Sequence, residues 1–196
     1  DDLKKRIVSV KSTQKITKAM KMVAAAKLKR AQESAEKGRP YSDKMNKIIL
    51  NLSENISDKE NAPKLLTGTG SDKVHLCVVL TSDRGLCGGF NSNIIKKAKS
   101  FFESISNEGK TFKIITVGSK GYDQLKRTFN ESIVDKITFK ESKNTNYIDA
   151  EKVGKIIIER FEKKEFDVCT IFYNQFKNVI TQIPQEQQII PLKTSE

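Results

Sequence analysis

Leu3-Lys4-Lys5-Arg6-Ile7-Val8-Ser9-Val10-Lys11-Ser12-Thr13-Gln14-Lys15-Ile16-Thr17-Lys18-Ala19-Met20-Lys21-Met22-Val23-Ala24-Ala25-Ala26-Lys27-Leu28-Lys29-Arg30 contains ten Lys or Arg and not one Asp or Glu. No Pro or Gly breaks it, and Ala, Lys, Met and Leu favour helix. Apolar or small residues recur at Leu3, Ile7 and Val10, then at Ile16, Ala19/Met20, Val23 and Ala26. Steps of three and four define a narrow stripe, closer to a coiled-coil seam than to the wide face of a globular-domain helix. Lys11/Lys15, Lys15/Lys18 and Lys18/Lys21 are like-charge neighbours, each costing roughly 0.2–0.5 kcal/mol. A helix built this way needs an apolar partner along its seam and an acidic or anionic surface around it. The plainer alternative is a solvated basic helix packed on its own domain.

Outward from this stretch, Gly38-Arg39-Pro40 is expected to interrupt or kink the helix, because Pro40 has no N–H to donate and its ring crowds the preceding turn. Periodicity resumes at Tyr41, Met45, Ile48/Ile49, Leu52 and Ile56. The reading is one long bent helix, or two in line, over residues 1–57. Residues 58–72, with Asn61-Ala62-Pro63 and Gly68-Thr69-Gly70-Ser71, read as a linker.

Residues 73–196 follow a different grammar. Val74–Thr81 is β-branched and nearly all apolar, as in a strand covered on both faces. A helix is expected from Asn91 to about Ile105, capped by Asn91 or Ser92. A strand follows at Phe112–Val117, a helix to Phe129, a strand at Ile133–Phe139, a helix at Tyr147–Lys164 and a strand at Asp167–Tyr173. Asn178–Ile183 is placed as a fifth strand, and Gln185–Glu196 as an unstructured tail. Alternating strands and helices predict a mostly parallel, Rossmann-like α/β domain.

The formal net charge is +12; residues 1–60 contribute +7 and residues 61–196 contribute +5. Such a balance points to a polyanionic or acidic partner. Cys77 and Cys169 read as buried thiols and Cys87 as a loop thiol. No CxxC pair argues for zinc or a disulfide framework, and the expected context is reducing. There is no signal-peptide apolar core, and Val74–Ser82 is too short to span a bilayer. The chain opens on Asp1 rather than Met, so removal of leading residues or a presequence is expected.

The loop Asp83-Arg84-Gly85-Leu86-Cys87-Gly88-Gly89 lies after the first strand and before a helix, where nucleotide folds keep their phosphate loop. G-x-G-x-x-G is absent, and the second strand ends in Val117-Gly118 without an acidic ribose ligand. Gly118-Ser119-Lys120 lacks the order of a P-loop. A tight turn with close backbone packing, or a protein-contact loop, is the alternative. Asp83 beside Arg84 reads as a loop ion pair. His75, the only histidine, lies at the opposite strand end from Cys87, which argues against a Cys–His pair. No metal-ligand cluster is evident. Nucleic-acid binding fits the charge, but Leu3–Arg30 has no aromatic residue to stack on bases.

Three motifs carry a resemblance. Thr13 to Leu28, followed by Arg39-Pro40-Tyr41, resembles the N-terminal signature of the gamma subunits of F-type, proton-translocating ATP synthases. Thr81-Ser82-Asp83-Arg84-Gly85-Leu86-Cys87-Gly88-Gly89-Phe90-Asn91 resembles the family's second signature, and Val117-Gly118-Ser119-Lys120-Gly121 its third. The resemblance runs in order along the whole chain. It implies that the N-terminal helix is half of the central-stalk coiled coil, and that this chain is a rotor subunit without catalytic residues or cofactors. The implied partners are the alpha and beta subunits of the catalytic ring, epsilon (or the mitochondrial delta/epsilon equivalents) and the membrane c-ring, with no nucleic acid. It implies that Lys15, Lys18, Lys27 and Arg30 meet acidic beta-subunit loops, with Met20 at that bearing and Lys4, Lys5 and Arg6 deeper in the ring. Asp83, Arg84, Gly85, Gly88 and Gly89 would form a contact loop of the foot domain. The implied location is peripheral, on the cytoplasmic face of a bacterial plasma membrane or the matrix face of the mitochondrial inner membrane. The family continues into a long C-terminal helix that pairs with the first; this sequence stops before it, and the seam at Ile16, Val23 and Ala26 is expected to pack on another chain or another copy, or to be poorly ordered. The alternatives kept open are a nucleotide- or phosphate-binding α/β enzyme and a basic nucleic-acid-binding protein.

Overall fold

A computed structural model describes residues 1–56, 61–142 and 145–193. It divides into two units, Asp1–Asn55 and Ile56–Glu196. The first unit is one helix, α1, Asp2–Glu54, 53 residues long, or about 80 Å at 1.5 Å per residue. It runs unbroken through Pro40, so the two-helix alternative is excluded. Proline removes one intrahelical hydrogen bond, and the helix-forming residues on either side carry the helix past it. No residue of α1 is buried.

The second unit starts with a short helix, α2 (Lys64–Thr67), within the segment read as linker. Part of that segment, residues 58–60, lies outside the described residues. Then come β1 (Val74–Leu80), α3 (Phe90–Asn107), β2 (Thr111–Val117), α4 (Ser119–Phe129), a 3-10 turn, β3 (Ile133–Ile137), α5 (Tyr147–Glu162), β4 (Val168–Phe176) and β5 (Gln182–Ile190). The sheet order is β3-β2-β1-β4-β5. The first four strands are parallel, and β5 pairs antiparallel with β4. The fold is thus a long N-terminal helix followed by a mostly parallel α/β domain, as the alternation of elements implies.

The C-terminal part departs from expectation. Asn178 makes a turn rather than a strand: its Oδ1 accepts from Ile180 N at 2.9 Å and Thr181 N at 2.7 Å, an Asx-type bend. The fifth strand therefore begins only at Gln182, near the end of the expected strand, and runs on to Ile190 through the stretch read as a tail. Gln and Glu at five of its nine positions, and Pro184 among them, disguise it; an edge strand tolerates both, because one face and one side escape the core.

Alternation along β1 builds two cores. Cys77 and Val79 pack with Ile94, Ala98 and Phe102 of α3, Leu125 of α4 and Phe172 of β4. Leu76 and Val78 pack on the other face with Ile157 and Phe161 of α5 and with Phe166 and Cys169. The sequence preceding α5 supplies a capping box: Asn146 Oδ1 accepts from Asp149 N and Asp149 Oδ2 accepts from Asn146 N, which satisfies two otherwise orphaned donors.

Candidate functional site

Two surfaces carry the residues singled out by sequence: the basic face of α1 and the loop after β1. On α1, Lys15, Lys18, Lys27 and Arg30 are exposed, and Met20 is 66% exposed. The seam is equally open, with Ile16 and Val23 more than half exposed. Over Leu3–Arg30 only two ion pairs form among the described residues, Arg6–Asp2 and Lys29–Glu33. Their acids lie outside the stretch. Thr13 and Thr17 hydroxyls donate back to Ser9 O and Thr13 O, so these polar side chains are spent on the helix itself. What remains outward is a cationic, acid-free flank beside an apolar stripe.

The loop after β1 is built inward. Asp83 does not pair with Arg84. Its Oδ1 accepts from Ser119 N at 2.8 Å and its Oδ2 from Phe139 N at 2.9 Å, while Ser119 Oγ donates to Asp83 O at 3.1 Å. One carboxylate thereby ties the end of β1 to the start of α4 and to the segment beyond β3. Burial pushes its pKa up, but the Phe139 and Ser119 donors, with Lys140 nearby, outweigh this and hold it below its ordinary 3.8. The local pairing with Arg84 looked natural in sequence, yet the backbone donors offer fixed, partly buried hydrogen bonds that an exposed guanidinium does not.

Asn91 also faces inward instead of capping α3, whose N-cap is Gly89 without a side-chain cap bond. Its Oδ1 accepts from Ser82 N at 2.9 Å, and its Nδ2 donates to Ser82 Oγ at 2.9 Å and Cys87 Sγ at 3.2 Å. Ser82 Oγ bonds Arg84 O. The inner loop is pinned from both sides, whereas its tip projects: Leu86 is fully exposed and adopts φ +59°.

The glycines of the third motif serve packing. A Cβ on Gly118, at φ +99°, would lie 2.1 Å from Thr81 O, and one on Gly121 would lie 2.8 Å from Thr81 Oγ1. The first amides of α4 are already partnered: Ser119 N by Asp83, Lys120 N by Ser82 O, Gly121 N by Thr81 Oγ1. In a nucleotide fold such amides face phosphate; here the chain's own oxygens hold them. The two other cysteines are buried, and burial lifts Cys169 to about 12. Among the described residues no cluster of three or more metal-ligating side chains occurs, and no helix is long and apolar enough to cross a membrane.

A long basic helix followed by a mostly parallel α/β domain, with the first α4 amides held by the chain's own oxygens, is the arrangement that the resemblance to a central-stalk rotor subunit implies. The comparisons agree. Residues 1–196 match the family described as ATP synthase. The chain is 83% identical to the ATP synthase gamma chain of Pelagibacter ubique (strain HTCC1062) over 196 residues, covering all of this chain and 67% of that one. It is 57% identical to the ATP synthase gamma chain of Rhizobium etli (strain CIAT 652) over 195 residues, covering 100% of this chain and 66% of that one. Among solved structures, a chain in the central stalk/c-ring of Tetrahymena thermophila mitochondrial ATP synthase aligns with TM-score 0.68 and 31% identity, over 90% of this chain and 72% of that one. The chain belongs to the ATP synthase gamma-chain family. It spans about two thirds of the length of the curated relatives it matches.

Proposed function

We propose that this chain couples rotation to catalysis without catalysing anything itself. The whole subunit turns inside the alternating alpha and beta subunits of the catalytic ring, driven through the membrane c-ring, and its asymmetry moves each beta subunit through its states. The α/β domain forms the foot beside epsilon, or the mitochondrial delta/epsilon equivalents. The complex sits peripherally on the cytoplasmic face of a bacterial plasma membrane or the matrix face of the mitochondrial inner membrane.

One observation carries this reading: the unburied Leu3–Arg30 stretch with ten cations, no acid and an open apolar seam. Lys15, Lys18, Lys27 and Arg30 meet acidic beta-subunit loops, which supply the counter-charge that α1 lacks. Met20 lies at the same level, where a flexible thioether adapts as the two surfaces slide. The loop carrying Asp83, Arg84, Gly85, Gly88 and Gly89 serves the foot. Within it Asp83 fixes the loop, and Arg84 and Leu86 are what a partner touches.

Titration of the chain with ATP, NAD and duplex DNA tests the reading. The expected result is no saturable binding of ATP or NAD, and only salt-sensitive, sequence-blind DNA binding. Tight ATP or NAD binding would favour the enzyme reading; sequence-dependent DNA binding would favour the nucleic-acid reading.

A further inference from the structure

Gly68-Thr69-Gly70-Ser71 has the composition of a slack Gly/Ser linker, and it lies on the path of the chain from α1 to β1. In the structure this stretch is held. Asp167, just ahead of β4, takes four donors from the approach to β1 and its first residue. Thr69 Oγ1 donates to Oδ1 at 2.8 Å; Ser71 Oγ at 3.1 Å, Lys73 N at 3.1 Å and Val74 N at 3.0 Å donate to Oδ2. Gly70, at φ +82°, makes the left-handed turn that glycine adopts without penalty. The hydroxyls on either side of that turn reach the same carboxylate.

Residues 69–73 are exposed, so burial of apolar surface does not hold them. Asp72 pairs with Lys110 at 2.7 Å, but Asp72 is largely exposed and such pairs contribute little. The firm ties are hydrogen bonds to the sheet. Lys73 O accepts from Thr111 N of β2 at 2.9 Å, and Val74 O accepts from Asp167 N at 2.8 Å. The carboxylate adds its four bonds on the same side as Asp167 N. Burial pushes the Asp167 pKa up, but these donors outweigh it and hold it below 3.8. Bonds to an ionised acceptor are roughly twice as strong as neutral ones. At its mouth the central strand β1 is therefore fastened to β2 on one side and to the start of β4 on the other.

We infer that Asp167 is a positioning residue of the rotor: it makes the approach from α1 to β1 a stiff connection, so that turning force enters the domain at the β1–β4 pair without first taking up slack in a Gly/Ser tether. The inference rests on the rotor reading. Force on the segment loads four side-chain bonds and two backbone bonds together, spread over three neighbouring strands, so no single bond opens alone.

The test uses the full-length subunit assembled into ATP synthase, with Asp167→Ala, Asp167→Asn and the double variant Thr69→Val/Ser71→Ala. Amide hydrogen exchange reads the clamp, and single-molecule rotation of the surface-held catalytic ring, with a bead on the α/β domain, reads the stiffness. In Asp167→Ala, exchange at the Lys73 and Val74 amides is expected to rise about tenfold or more, as loss of hydrogen bonds to a charged acceptor does, while Ile114 and Ile115 of β2 stay at wild-type rates. Angular fluctuation of the bead at a catalytic pause is expected to widen. Asp167→Asn can turn its oxygen to the two amides and its NH₂ to the Thr69 hydroxyl, so it should restore most of both readouts. Thr69→Val/Ser71→Ala changes only exposed side chains, should widen the fluctuation less, and keeps the test open if Asp167→Ala does not assemble. Fluctuation of wild-type width in Asp167→Ala, or in the double variant where that one fails, would overturn the inference. So would faster exchange spread evenly over the sheet, which would make Asp167 a general stabiliser. A wild-type assembly that does not rotate would overturn the rotor reading and this inference with it; rotation with unaltered widths would overturn this inference alone.

Discussion

Reversing Lys15 and Lys18 to Glu separates what the basic face does alone from what it does in an assembly. Both side chains are exposed on α1 and pack on nothing, so no buried contact is lost. Three like-charge neighbours exist at present: Lys11/Lys15, Lys15/Lys18 and Lys18/Lys21. In Lys15→Glu/Lys18→Glu the outer two become attractive, while the middle pair stays repulsive. Each converted pair changes helix stability by about 0.4–1 kcal/mol, twice the usual pair energy. The isolated helix thus gains about 1–2 kcal/mol locally and becomes harder to melt. In the assembled enzyme the same change sets two carboxylates against acidic loops, where like-charge juxtaposition costs several kcal/mol. Opposite signs are therefore expected: circular dichroism of the isolated chain shows equal or greater helix content and thermal resistance, while proton pumping per ATP hydrolysed falls in membranes carrying the full-length variant. A less helical isolated chain would refute the repulsion argument. Unchanged ATP synthesis and pumping would refute the acidic-socket argument.

Gly118→Ala is expected to cost about 3 kcal/mol or more, combining a Cβ placed 2.1 Å from Thr81 O with φ +99°; a denaturation midpoint equal to wild type would contradict it. Stability should fall in acid, because Asp83 and Asp167 have folded-state pKa values held below 3.8. Burial opposes this for Asp167, but Val74 N, Lys73 N and the Thr69 and Ser71 hydroxyls prevail. Their contribution is complete above the unfolded value and disappears as pH drops through the folded one. Urea unfolding of wild type and Asp83→Asn from pH 6 to pH 2 should show a shallower decline in the variant; parallel curves would count against the Asp83 clamp. Met20→Lys, adding charge at a 66% exposed position, should lower the pumping-to-hydrolysis ratio while leaving the melting of residues 74–190 unaltered. An unaltered ratio would remove Met20 from the bearing.

Much of the fold was legible because local pattern and tertiary environment agree. Val74–Leu80 is apolar apart from His75 since α3 and α5 cover both its faces, and the acid-free run to Arg30 announced an unburied helix. Three features hid for identifiable reasons. Asp83 looked like a partner for adjacent Arg84, but its true partners are the amides of Ser119 and Phe139, 36 and 56 residues on, and no local signal encodes them. Asn91 looked like a cap yet is turned onto Ser82 and Cys87. Strand β5 was masked by its own glutamines and by Pro184. The signal that could have found it was Asn178, a turn former, placed between β-branched and aromatic runs. Pro40 misled in the other direction: one lost hydrogen bond does not end a helix of 53 residues. Of the candidate site, the charge pattern on α1 could be read one residue at a time, whereas the loop network could not.

The most direct test of the central claim is disulfide cross-linking at the bearing. A Met20→Cys, Cys87→Ser variant of the full-length subunit would be assembled with beta subunits carrying a cysteine in their acidic loop. Oxidation is expected to join the two chains and arrest ATP hydrolysis, and a thiol reductant to restore it. Failure to form the cross-link, or full hydrolysis with the cross-link in place, would contradict the claim that this helix turns against that wall.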